Sequence, residues 1–212
     1  MFSGIIEVKS KIIHTQKKDS SLVIEVQRPA SFDDIKVGDS IALNGICLTV
    51  EKFDAQTIQF TIGFETLKIT NWSELDLVKL PVNLERSLRF GDRIHGHMVT
   101  GHVDAMVSLK DKVYKGECLI LKLKVPKKLE AFIWNKGSVT LNGVSLTVNN
   151  FNSGVLEVCL IPETLRQTNL ESYEQSDLLT LEIDNFSRAI YRYFETHENN
   201  KINIENVKEP HL

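Results

Sequence analysis

Cysteine is scarce in this chain, and the three present, Cys47, Cys118 and Cys159, are odd in number and far apart. That pattern argues against a disulfide framework and against a CxxC metal site, and it fits reduced thiols in a cytoplasmic protein. Proline and glycine, at 5 and 11 of 212 residues, are too few for a collagenous or low-complexity chain. No charge sign dominates: 25 Lys and Arg stand against 28 Asp and Glu, a formal net charge of −3, with no dense basic tract. Nucleic acid is therefore not an expected partner. Long apolar runs are missing too, since none approaches the roughly 18 uncharged residues of a membrane span. The opening Met1 to Glu7 lacks the charged region of a signal peptide, so no membrane role is expected. What the chain does have is 42% hydrophobic residues, enough for a sizeable core.

Nucleotide and hydrolase signatures are absent as well. There is no GxGxxG and no GxxxxGK[ST], and Lys136-Gly137-Ser138 runs in the wrong order for a phosphate-binding loop. Gly143-Val144-Ser145-Leu146-Thr147 nearly matches GxSxG, but the last glycine is missing and the surroundings read as strand.

Sliding the sequence along itself exposes a tandem duplication. Leu43-Asn44-Gly45-Ile46-Cys47-Leu48-Thr49-Val50 returns as Leu141-Asn142-Gly143-Val144-Ser145-Leu146-Thr147-Val148 at an offset of 98, with six of eight positions identical. At the same offset Glu65-Thr66-Leu67 becomes Glu163-Thr164-Leu165, and Met1-Phe2-Ser3-Gly4 returns as Met98-Val99-Thr100-Gly101 one residue out of step. A period this long exceeds that of solenoid repeats, so each copy is expected to be a domain with its own core.

Inside each copy the apolar pattern alternates. Leu119, Leu121, Leu123 and Val125 share a face opposite Lys122 and Lys124, the mark of a half-buried strand. Phe151-Asn152-Ser153-Gly154-Val155 reads as a hairpin turn, with Phe53-Asp54-Ala55-Gln56 as its counterpart. Short strands at regular spacing predict a small barrel or a sandwich. Only the end of the chain is strongly helical in pattern: Phe186, Ala189, Ile190, Tyr193 and Phe194 form an aromatic stripe that packs either on its own barrel or against other subunits. Residues beyond about Glu198 are polar and expected to fray.

His95, His97 and His102 are the one dense histidine group, and two of them share a strand face as metal ligands would. Gly91, Gly96 and Gly101 around them suggest a turn-rich linker, which favours structural histidines and one functional one over a metal site. Identity confined to short blocks suggests the same job done twice. Backbone amides, the Thr49 and Thr147 hydroxyls, and the pairs Glu65–Thr66 and Glu163–Thr164 suit a flat polar heterocycle with a polyol tail. The blocks also make sense as nothing more than a preserved turn and core strand. Cys47 aligns with Ser145 and Ile5 with His102, so only the second copy gains an imidazole, as if two like ligands were treated unequally.

The motifs resemble the riboflavin synthase family over nearly the whole chain, and in its order. They are Met1-Phe2-Ser3-Gly4-Ile5-Ile6-Glu7, the repeated Leu-Asn-Gly-x-x-Leu-Thr-Val, Val82-Asn83-Leu84-Glu85-Arg86, Gly96-His97 through Gly101-His102-Val103-Asp104, and Ile161-Pro162-Glu163-Thr164-Leu165. The resemblance implies an all-β fold of two tandem six-stranded antiparallel Greek-key β-barrels plus a C-terminal α-helix. The expected divisions are 1–97, 98–195 with the helix from about 186, and a polar tail at 196–212. It implies dismutation of two molecules of 6,7-dimethyl-8-ribityllumazine, by four-carbon transfer, to riboflavin and 5-amino-6-ribitylamino-uracil, with no cofactor and no metal. It implies a homotrimer held by the helix, with two lumazines in each site between neighbouring chains, and it leaves association with lumazine synthase open.

Carried over by position, the catalytic candidates are His102, Ser145, Cys47, Thr147 and Asp184, with His102 and Ser145 both placed in the C-terminal barrel. The substrate contacts expected from the resemblance are Phe2, Gly4, Ile5, Ile6, Cys47, Leu48, Thr49, Thr61, Ile62, Gly63, Phe64, Glu65 and Thr66 from the first copy. From the second they are Gly101, His102, Val103, Lys136, Ser145, Leu146, Thr147, Ile161, Pro162, Glu163 and Thr164. His95, where the family usually has glycine, and Phe64, where smaller or polar residues are usual, depart from the pattern. A non-catalytic lumazine- or flavin-binding protein of the same build, and a metal enzyme using the histidine group, are the rival readings.

Overall fold

The computed structural model describes residues 1–73 and 77–204. The first repeat contributes β1 (Val8–Ser10), β2 (Ile12–Lys18), β3 (Ser21–Gln27), β4 (Ser40–Leu43), β5 (Ile46–Thr49), β6 (Lys52–Phe53), β7 (Thr57–Ile62), helix α1 (Phe64–Thr70) and β8 (Val82–Arg86). The second contributes β9 (Ala105–Lys115), β10 (Cys118–Lys124), β11 (Ser138–Leu141), β12 (Val144–Asn152), β13 (Val155–Leu160), helix α2 (Pro162–Gln167) and β14 (Leu178–Ile183). Helix α3 (Asn185–Ile204) follows.

The second half closes into a six-stranded barrel in the order β10-β13-β12-β11-β14-β9, every pair antiparallel. Period-two patterning does this: Leu119, Leu121 and Leu123 of β10 and Leu156, Val158 and Leu160 of β13 are fully buried, while Lys122 and Lys124 lie on the outward face. Closure leaves the barrel no free edge. The hairpin expected at Ser153-Gly154 is present, with φ of 51° and 73°, the pair of positive angles that a two-residue turn matching strand twist requires.

The first half forms two four-stranded sheets, β1-β8-β4-β5 and β2-β3-β7-β6. Backbone bonds bridge the gaps between them: Gln27 N–H donates to the Lys11 carbonyl and Glu51 N–H to the Gln59 carbonyl. Phe32, Ile41, Leu43, Phe60 and Leu84 fill its core.

The two Asn-Gly turns meet between the halves. Asn44-Gly45 and Asn142-Gly143 have positive φ throughout, and a Cβ on either glycine would fall 2.8 Å from the other's amide nitrogen. Bulk there would force the halves apart. Asn83 Nδ2 donates to the Asn142 carbonyl (2.9 Å) and Thr180 Oγ1 to the Asn44 carbonyl (2.6 Å), so two different side chains make equivalent bonds across a pseudo-twofold axis. Asn169 breaks the symmetry, donating to Asn44 Oδ1 and the Pro81 carbonyl.

Helix α3 starts where Asp184 Oδ1 accepts the Phe186 N–H (2.9 Å), and Arg188 pairs with Asp104. Tyr191 packs on Phe132 with the rings tilted by 58° and 4.8 Å between centroids, but Phe186, Ile190, Tyr193 and Phe194 stay more than half exposed. Of the two placements open for this stripe, its own barrel does not take it. The helix also runs on through 196–204, where a polar tail was expected, because each residue added to a formed helix gains one backbone bond. The rest of that tail, 205–212, lies outside the described residues.

Candidate functional site

Two short segments, 2–6 and 99–103, organise the site. They pair at the pseudo-axis, Phe2 N–H to the Val99 carbonyl (2.8 Å) and Val99 N–H to the Phe2 carbonyl (3.0 Å). Each then crosses to the other half. Ser145 N–H donates to the Gly4 carbonyl (2.7 Å), and Cys47 N–H donates to the Gly101 carbonyl (2.9 Å). Side chains follow: Ile6 is part of the second half's core, and Val103 packs on the first half's core.

Glycine is required at both crossings. Gly4 and Gly101 have φ of 74° and 82°, and a Cβ would sit 2.7 Å from Ser145 Cβ in one case and 2.5 Å from Cys47 Cβ in the other. Buried carboxylates hold both segments. Glu85 accepts from Ser3 N–H (2.7 Å), Ser3 Oγ (2.9 Å) and Gly4 N–H, while Glu182 accepts from Thr100 N–H (2.7 Å), Thr100 Oγ1 (2.6 Å) and Gly101 N–H (3.0 Å). Burial pushes the Glu85 carboxyl above its ordinary value, and the bonds from Ser3 and Gly4 oppose that shift.

The crossing corrects one expectation. His102 belongs to the second repeat in sequence but lines a pocket of about 190 Å³ on the first half, with Cys47, Glu65, Thr66, Gly101 and Val103. It does not share a pocket with Ser145, because residues 100–103 have crossed over before the second barrel begins. The imidazole beside Ser145 is His97, whose Nδ1 lies 2.7 Å from Ser145 Oγ and whose Nε2 lies 3.1 Å from Thr140 Oγ1. Each half therefore has an imidazole, against the expectation that only one would. Burial holds His97 below the ordinary histidine pKa, with the Asp184 carboxylate pulling weakly the other way. It is thus neutral near pH 7, one ring nitrogen donating and the other accepting.

The remaining candidates sort by face. Phe2, Ile6, Leu48, Ile62 and Leu146 turn their side chains into the core. Thr49 and Thr147 alternate with them and are exposed, as are Ile5, Gly63, Phe64, Ile161, Pro162 and Glu163. Thr164 is half-buried at the start of α2. Thr61 is tied to Glu51 (2.9 Å), Lys136 is exposed in the turn before β11, and Asp184 caps α3. The histidine group disperses: His95 faces a separate cleft of about 940 Å³ with Asp33, Asp34, Arg86 and Arg89. Arg86 there pairs with both Glu7 and Asp34, and Arg89 pairs with Asp34, so the two arginines are matched by two carboxylates. Among the described residues no three His, Cys, Asp or Glu converge as metal ligands.

Sequence reading missed His97 as Ser145's partner, and it missed Glu85 and Glu182. The last two carried a signal: Leu84-Glu85 and Leu181-Glu182 put an acid directly after a leucine at the same position of equivalent strands.

Comparison with known proteins follows the same division. The lumazine binding domain matches residues 3–87 and again 100–184. The riboflavin synthase of Actinobacillus pleuropneumoniae is 35% identical over 193 residues, covering 91% of this chain and 89% of that one. That of Bacillus subtilis is 32% identical over 201 residues, covering 95% and 93%. Among solved structures, LumP complexed with riboflavin superposes with a TM-score of 0.80 at 23% identity, covering 86% of this chain and 99% of that one.

Proposed function

The chain belongs to the riboflavin synthase family, with its lumazine binding domain present twice, and from that premise we infer that it converts two molecules of 6,7-dimethyl-8-ribityllumazine into riboflavin and 5-amino-6-ribitylamino-uracil. Atoms balance between two substrates and two products, so the transfer of four carbons consumes no oxidant, reductant or water. The observation that carries the reading is the crossed pair of segments: Gly4 of the first repeat bonds Ser145 of the second, and Gly101 of the second bonds Cys47 of the first, an exchange that suits two copies of one substrate held in opposite orientations. Pairing two rings this way turns an encounter into a near-unimolecular step, with effective molarities of about 10⁵ to 10⁸ M available.

One lumazine lies with Cys47, Thr49, Glu65, Thr66 and Gly101–Val103, the other with Gly4–Ile6, Ser145–Thr147 and Ile161–Thr164. Backbone amides and the threonine hydroxyls address the ring edge and the ribityl chain. The C7 methyl of a lumazine is acidic because its anion delocalises into the ring. A neutral His97 accepting from Ser145 Oγ through Nδ1, and donating to Thr140 through Nε2, makes Ser145 competent to pass that proton, and His102 serves the opposite pocket. General acid–base help of this kind contributes about 10² to 10⁴-fold.

Neither half-site is complete on one chain. A pocket of about 190 Å³ is smaller than the roughly 300–1,000 Å³ of ordinary ligand sites. A neighbouring chain supplies the facing pocket, and the exposed stripe of α3 supplies the contact that assembles a homotrimer. The bridged sheets of the first half then act as a second barrel in which two strands are broken. Three free cysteines, and no described helix long and apolar enough to cross a membrane, support work in the cytoplasm.

The test is incubation of purified protein with 6,7-dimethyl-8-ribityllumazine alone. Two lumazines lost per riboflavin formed is the expected result. Tight binding without turnover would place the chain with non-catalytic ligand carriers of this fold.

A further inference from the structure

The chemistry just given uses neither of the two buried carboxylates, although Glu85 borders the cleft of about 940 Å³ together with Ser3, Ile5 and His95. Their partners are all in the crossing segments. Glu85 stands on β8 of the first half, and its oxygens take Ser3 N–H, Ser3 Oγ and Gly4 N–H, which hold the segment lying against Ser145 of the second half. Glu182 stands on β14 of the second half, and its oxygens take Thr100 N–H, Thr100 Oγ1 and Gly101 N–H, which hold the segment lying against Cys47 of the first half.

We propose that Glu85 and Glu182 are crossed positioning residues, each fixing the loop that completes the pocket of the half on which it does not stand. Glu182 sets His102 and Val103 over the first-half pocket, and Glu85 sets Gly4 and Ile5 beside Ser145 and His97. The geometry is that of an anion in a nest: three donors from two successive residues, two of them backbone, converge on one carboxylate, so only an acceptor-only group satisfies them all. At Glu182, where Thr100 and Gly101 bond different oxygens, a glutamine offers one acceptor oxygen and turns its NH₂ toward a buried N–H, leaving it unpaired; at Glu85, where Gly4 N–H reaches Oε1 (3.2 Å) as well as Oε2 (3.1 Å), a glutamine loses the charge and the second acceptor oxygen. The inference deepens the function given above and rests on it for the meaning of the pockets, though not for the loops themselves.

Cys47 gives a local readout. Its amide is bonded by Gly101, and it shares the first-half pocket with His102. Cys118 and Cys159 stand on β10 and β13 of the second barrel, the barrel that carries Glu182. Alkylation of the full-length protein by iodoacetamide, followed at each cysteine by peptide mass analysis, separates loop positioning from general loosening. In Glu182→Gln we expect Cys47 to label about tenfold faster or more, the smallest effect of losing a charge-assisted bond, with Cys118 and Cys159 unchanged. In Glu85→Gln, although Glu85 stands on Cys47's own half, Cys47 should label at the wild-type rate.

Thr100→Val, which removes one hydroxyl bond and keeps the carboxylate, should raise Cys47 labelling by a smaller factor, and it serves if Glu182→Gln does not fold. Lumazine turnover should fall in both glutamine variants. Equal acceleration at all three cysteines, or an unchanged Cys47 in both Glu182→Gln and Thr100→Val, would overturn the proposal. Absence of turnover in the wild-type protein would instead sink the functional reading, and the labelling pattern would still decide the role of the carboxylates.

Discussion

Replacing Gly101 by alanine tests the crossing at its tightest point. Gly101 has φ of +82°, and the added Cβ would lie 2.5 Å from Cys47 Cβ and 2.8 Å from Cys47 N. Two costs follow, about 1–2 kcal/mol for an L-residue in the left-handed region and about 1–3 kcal/mol for overpacking. Gly38 separates them: its φ is +95°, but nothing lies within 4 Å of the Cβ position. Gly38→Ala should therefore carry only the first cost, and Gly101→Ala should melt a further ~2–12 °C lower, at about 2–4 °C per kcal/mol for a chain of this size. Melting is compared at equal protein concentration, because assembly shifts apparent stability. Activity divides the pair more sharply. If the loop relieves the clash by lifting off Cys47, the thermal penalty shrinks but His102 moves, so lumazine turnover falls in Gly101→Ala while Gly38→Ala keeps the wild-type rate. A Gly101→Ala protein that melts with Gly38→Ala and turns over normally would refute the crossing.

His102→Gln should slow turnover more than it weakens lumazine binding, read as a drop in kcat with a smaller change in affinity; unchanged turnover removes His102 from proton transfer. Ser145→Ala should lower kcat by about 10² or more if its hydroxyl relays the proton, whereas a change in KM alone would make it a binding group. The pH dependence follows from His97, whose folded pKa is depressed by burial. The unfolded chain takes up the proton first, so stability is present above about pH 6.5 and is lost as pH falls below it. Urea midpoints between pH 7.5 and 5 should show that loss, and His97→Gln should flatten it; an equal slope in both proteins would show that the imidazole is not the group responsible. Removing the chain from Phe186 onward should give monomers with little activity on a sizing column and in the lumazine assay, and a fully active monomer would end the shared-site argument.

Much of the fold was legible because duplication writes the same local physics twice. The alternation in β10, the Ser153-Gly154 turn and the C-terminal stripe all follow from nearest-neighbour pattern, and the structure has each of them. The family could be read from short blocks, and comparison supports it. The crossing was not legible. Aligning Phe2-Ser3-Gly4 with Val99-Thr100-Gly101 says that the two segments do equivalent work, but both a parallel and an exchanged arrangement satisfy that alignment, and only contacts between residues some 50 to 140 positions apart choose. His97 was hidden by company, since His95 and His102 nearby invited a grouping that the fold takes apart. The slip between offsets of 97 and 98 falls in the loop from Gln27 to Ser40 and its counterpart from Lys124 to Ser138, away from both crossing segments.

The exchange of segments also sets an order of events during synthesis. Residues 1–6 are made some 140 residues before Ser145, and Ile6 takes its place in a core whose strands begin at Ala105. At roughly 5–20 residues per second the wait is on the order of ten seconds. For that time the first half can assemble its own sheets, but Ile6 stays unburied, and the Cys47 pocket lacks residues 101–103. The second barrel, closing last, completes both pockets at once, so a nascent chain stalled between the two repeats would hold neither.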